Sequence, residues 1–131
     1  MKSERDERFT NIRPNLSTSE SEGEDSSVLN FQNQVLRPIL KLQNSIILAQ
    51  FREYIKKFKP SFNAYNLKVQ QNYVSDVMKS DPRIRNSLIA SVVSVMTLEE
   101  YNFYVKNKNE CNKRIVTLLI RRIQDHLEML Y

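Results

Sequence analysis

The chain has 131 residues with a net charge of +5, a single Gly, a single Cys and a single His. That length accommodates one domain and a tail. The composition excludes an intrachain disulfide, a Gly-rich phosphate loop and Asn-Gly hairpins. No run of 18 apolar residues is present, which argues against a membrane span. The charged start MKSERDERFTN lacks the apolar core of a signal peptide, so the expected setting is cytoplasmic.

Charge is unevenly spread. Residues 1–27 carry four bases and seven acids, net −3, and the remainder carries sixteen bases and eight acids, net +8. Within the first segment, LSTSESEGEDSS has no aliphatic or aromatic side chain after Leu16. Such a stretch cannot offset its own ordering entropy, so residues 1–27 read as a disordered, acidic, Ser-rich tail. Its removal is then expected to leave the melting temperature nearly unchanged. The tail reads as a solubilising leader, as a partner-binding segment, or as an electrostatic cover over the basic body. Phe9, Ile12, Pro14 and Leu16 form a small apolar cluster suited to docking.

Residues 28–131 read as a helical bundle domain. From Val28 to Lys59, apolar residues recur at threes, fours and sevens, the spacing of a helix with a broad buried face. Pro38 removes a donor and crowds the carbonyl of Gln34, which predicts a kink there. Lys59-Pro60-Ser61 stops the helix. A second helix is expected over 67–79, capped by Asn66, with Val69, Tyr73 and Val77 on its buried side and Val74 and Met78 widening it. Asp81-Pro82 opens a third over 82–96, burying Ile84, Leu88, Val92 and Val95 and expected to be the most central. Thr97-Leu98-Glu99-Glu100 is a capping box that starts a fourth, carrying Leu98, Tyr101 and Val105. A break is expected near 107–109, and a final helix over 110–130 buries Cys111, Ile115, Leu118, Leu119, Ile123, Leu127 and Leu130. The fold class is therefore all-α, a bundle of four to five helices with a disordered N-terminal tail.

Few side chains offer catalysis. His126 lies near the end of the last helix, where a histidine ordinarily meets the helix dipole. Cys111 precedes it by 15 residues, roughly 22 Å along a helix, beyond any nucleophile–base contact. No catalytic residue, metal ligand or cofactor site is expected from these residues. The bases are more suggestive: Lys113, Arg114, Arg121 and Arg122 recur along the last helix, and Arg114 and Arg121, seven apart, share a face. They form the candidate basic binding surface, either a solvated face or a stripe that follows phosphates.

The elements Phe-Gln-Asn at 31–33, Leu-Arg-Pro at 36–38, Lys-Leu-Gln at 41–43, Leu-Glu-Glu-Tyr at 98–101 and Asn-Lys-Arg at 112–114 carry a resemblance. Over residues 28–125 the chain resembles a family of small helical bacterial proteins that often bears the label glyoxalase. The resemblance implies a helical fold and, through that label, a glyoxalase-type lyase. The residues themselves favour a non-enzymatic adaptor or regulatory subunit with a protein partner on a larger assembly. The alternative is a basic protein associated with RNA, ribosome or DNA.

Overall fold

The computed structural model describes residues 3–14 and 27–130. Helix α1 (Glu4–Ile12) comes first, and α2 (Ser27–Phe31) runs through a π-helical turn at Gln32–Leu36 into α3 (Arg37–Leu42). After these come α4 (Asn44–Phe58), α5 (Leu67–Ser80), α6 (Pro82–Val93), α7 (Leu98–Lys106) and α8 (Lys108–Gln124), with 3₁₀ turns at Phe62–Ala64 and Leu127–Leu130. The described residues contain helices and no strands, so the fold is all-α. The helices exceed the four to five expected for two reasons: the first long helix is divided, and the tail contributes α1.

That division does not fall at Pro38. The π turn places the Arg37 N–H on the Gln32 carbonyl, and its wider ring absorbs the missing donor and the ring bulk of Pro38. The interruption comes at Gln43, with φ −91° and ψ 8°. Gln43 Nε2 donates to the Ser91 carbonyl at 2.9 Å, tying the step between α3 and α4 to α6.

Leu36, Ile39, Ile47 and Phe51 are fully buried, and with Met78, Leu88, Val92, Ile115, Leu119 and Ile123 they form one continuous core. At the start of α6, Asp81 accepts from the Arg83 N–H at 3.0 Å and Pro82 occupies the first turn, as the Asp-Pro pair predicts. The capping box also forms: Thr97 Oγ1 accepts from the Glu100 N–H, and Glu100 Oε1 accepts from the Thr97 N–H. Helix α6 meets α4, α5 and α8, and the inner face of α8 meets α5, α6 and α7, so the centre is shared.

Two faces are rotated from their expected positions. On α5 the buried line is Gln70, Val74 and Met78, whereas Val69 is 42% exposed. Gln70 fits inside because its Nε2 donates to the Phe62 carbonyl at 3.0 Å. On α7 the inward residues are Tyr104 and Phe103, the latter stacked on Phe31 at 4.6 Å between centroids. Leu98, Tyr101 and Val105 consequently face outward.

The tail expectation needs correction over residues 3–14. Ser3 caps α1 by accepting from the Asp6 N–H, and Glu4, Asp6 and Glu7 occupy the first turn, where acids favour the helix dipole. Phe9 packs against the core. The acidic, serine-rich remainder, 15–26, on which the cover and leader readings rest, lies outside the described residues.

Candidate functional site

Three places concentrate polar chemistry on this bundle. The first is the corner between α6 and α7, where helix ends leave carbonyls and amides without intrahelical partners. Side chains of α1 and the residue after it supply those partners. Arg5 donates to the carbonyls of Met96 at 2.8 Å and Ser94 at 2.6 Å, and its guanidinium lies over the Phe9 ring. Arg13 donates to the Val95 carbonyl at 3.0 Å and to both carboxylate oxygens of Glu100 at 2.7 and 2.8 Å. Asp6 accepts from the Leu98 N–H at 3.2 Å. The clip joins residues more than 80 positions apart in sequence. Burial pushes the Glu100 carboxyl upward, but Arg13 and the Thr97 amide outweigh it and hold the group below its usual range.

Beside this clip lies an open groove of about 810 Å³, lined by Ser3, Arg5 and Asp6 on one wall and by Leu98, Glu99, Tyr101 and Asn102 on the other. It runs onto the outer face of α7. There Leu98 is 64% exposed, Tyr101 43% and Val105 49%, at positions i, i+3 and i+7. Three large apolar side chains on one exposed helical line depart from the scattered single exposures usual on a surface.

The second place is the basic surface. Because Cys111, Ile115, Leu119 and Ile123 turn inward, Lys113, Thr117 and Arg121 turn outward on α8. Two adjoining grooves of about 380 and 350 Å³ follow that side, and Arg37, Leu118 and Arg121 line both. The first also has Lys41, Arg122, Asp125 and His126; the second has Gln32, Glu110, Lys113 and Arg114. The structure thus brings the four sequence-selected bases along one side of α8 and adds Arg37 and Lys41 from α3. These two escaped the sequence reading because α3 and α8 lie about seventy residues apart; their i, i+4 spacing was the available signal.

The four are not equally available. Arg114 donates to Gln32 Oε1 at 3.0 Å and pairs with Glu110. Arg122 donates to Asn44 Oδ1 at 2.9 Å, and burial followed by the nearby Arg37 lowers its pKa. Lys113 and Arg121 are exposed. His126, in the turn after α8, donates from Nδ1 to the Arg122 carbonyl at 2.7 Å and closes the end of that helix. Cys111 is fully buried, and burial raises its thiol pKa.

The third place is the α5–α6 junction. Asp81 accepts a 2.5 Å hydrogen bond from the Tyr54 hydroxyl and pairs with Arg83, whose guanidinium also covers the Phe58 ring at 4.3 Å. The Arg83 and Tyr54 bonds hold the Asp81 carboxyl far below its usual range. Burial, then the Asp81 hydrogen bond, pushes Tyr54 up to about 12. Every one of these groups is engaged in joining α4 to the start of α6.

Among the described residues, no group of three or more His, Cys, Asp or Glu side chains is placed to hold a metal ion. No described helix is long and apolar enough to cross a membrane. No family model matches the chain, and comparisons with curated proteins and with solved structures return no match.

Proposed function

We propose that this protein is a non-enzymatic adaptor that docks a protein partner through the outer face of α7. The observation that carries the reading is the exposed line Leu98, Tyr101 and Val105 beside the groove at the α6–α7 corner. Aromatic and aliphatic side chains on a rigid helix supply contact area at small ordering cost. The capping box and the α1 clip fix the start of α7, so the face is presented already formed. The test is copurification with a tagged full-length protein at native expression, after nuclease treatment. The double variant L98S/V105S is expected to lose the partner while keeping the parent melting temperature. Retention of the same partner by that variant would remove the assignment.

A second reading, association with RNA or DNA, is favoured by the convergence of Arg37 and Lys41 with Lys113 and Arg121 along two adjoining grooves. Phosphate contacts of this kind position without specifying sequence. Binding is then expected to weaken with salt at a log–log slope near −0.9 per duplex phosphate neutralised, or about −0.7 for single strands. R121E should weaken binding equally for unrelated sequences. Failure to bind any nucleic acid at low salt would end this reading.

A further inference from the structure

We propose that the groove between α3 and the last turns of α8 is a binding site for a small phosphomonoester. The site takes a compact ligand where the nucleic-acid reading takes a polymer, and it does not depend on that reading. Arg37 and Lys41 from α3 meet Arg121 and Arg122 from α8 around about 380 Å³, four bases against one acid, Asp125. Among the described residues none of these bases is in an ion pair, and Asp125 lies beyond ion-pair distance of each. Arg114 in the adjoining groove, by contrast, has Glu110. The guanidiniums that do bond meet neutral oxygens: Arg37 Nε donates to Asn33 Oδ1 at 3.1 Å and Arg122 Nη1 to Asn44 Oδ1 at 2.9 Å. Each keeps further N–H donors for a ligand.

Gathering cations in this way is unfavourable in the empty groove. Arg122 is half-buried; burial lowers its pKa, Asp125 offsets part of that, and the neighbouring Arg37 lowers it further. The helix dipole favours bases in the last turn of α8, which accounts for Arg121 and Arg122. It does not account for a guanidinium brought beside them from α3. An anion in the groove relieves the repulsion and replaces lost solvation. The donors then select among anions. A guanidinium offers paired N–H groups in one plane, matched to phosphate and carboxylate oxygens. Three of them lining one hollow favour a group with three acceptor oxygens and nearly two charges, which a phosphomonoester carries at pH 7. The volume falls within the roughly 300–1,000 Å³ of small-molecule sites. Asp125 repels a bare anion but accepts from a hydroxyl, so the favoured ester carries a hydroxyl close to its phosphate.

The test is calorimetric titration of the full chain at physiological salt, with ribose 5-phosphate as probe and ribose as its phosphate-free control. One-to-one binding of the ester and none of ribose is expected. R37Q should weaken binding at least about tenfold, the loss of one charge-assisted contact. R37K should fall between, since it keeps the charge without the fork. The melting temperature of each variant checks its fold. In the unaltered chain, the Nε–H resonances of Arg37 and Arg122 should shift on addition of the ester, a readout that needs no variant. Lys113 stands nine residues before Arg122, roughly 13 Å along the helix. That exceeds the Debye length of about 8 Å at physiological salt, so K113E should leave affinity for the ester unchanged. Absence of both heat and resonance shifts, or equal binding by R37Q and the parent, would overturn the proposal. So would oligonucleotide binding that needs both Arg37 and Lys113 in a chain that ignores ribose 5-phosphate; the groove would then serve the polymer alone.

Discussion

Asp81 receives three demands on one carboxylate: the cap of α6, the Arg83 guanidinium and the Tyr54 hydroxyl. Its pKa lies below the unfolded value, so the stability it contributes is complete above that unfolded value, near 4, and is lost as pH falls through the folded one. Glu100, also depressed, acts in the same direction and over a neighbouring acidic range. The melting temperature is therefore expected to fall steadily below about pH 4. D81N keeps a capping side chain but loses the charge; it should melt lower than the parent at pH 7 and show a smaller further drop at pH 3. Equal drops in parent and variant would show that Asp81 is not a source of the acid sensitivity. The residue scale also explains a miss in the sequence reading. Gln70 is polar and buried with its Nε2 on the Phe62 carbonyl, a partner that no hydrophobic spacing announces.

Among the elements, those with local signals were legible and those with distant partners were not. Asp81-Pro82 and the Thr97–Glu100 box name their own helix starts, because a cap needs only the next three residues. The line Leu98, Tyr101 and Val105 has the spacing of a buried face, but Phe103 and Tyr104 hold that role once Phe31 arrives from α2. Helix α1 was hidden because it has few apolar residues and its anchors are side chains reaching carbonyls of residues 94–96. Ser3 followed by Asp6 was the signal that could have marked it. The clip reverses the expectation that the N-terminal segment is dispensable. Deleting residues 1–14 should lower stability by about 2 kcal/mol, since the half-buried Glu100 loses its bidentate Arg13 and helix-end groups lose their partners. R13A should reproduce about half of that loss. A deletion that melts with the parent would mean that solvent satisfies these groups equally well.

Across the whole molecule, the all-α class and the basic side of α8 could be read from periodicity and charge, whereas their assembly with α3 and the clip required the folded chain. One joint sets how the two candidate surfaces relate. Asn107 alone separates α7 from α8; its N–H reaches the carbonyls of Phe103 and Tyr104, its carbonyl accepts from the Cys111 N–H, and Tyr104 bonds Asn112 across the bend. Such a joint has no slack. A tilt imposed on α7 by a bound partner must swing the first turns of α8, and Lys113 with them. If the tilt alters the fit of an anion there, the two occupancies share a coupling free energy, and linkage makes it mutual: an anion on α8 favours or opposes the α7 partner by the same factor that the partner changes the anion's affinity. The elbow at Asn107 would then make two surfaces that look separate into one thermodynamic unit.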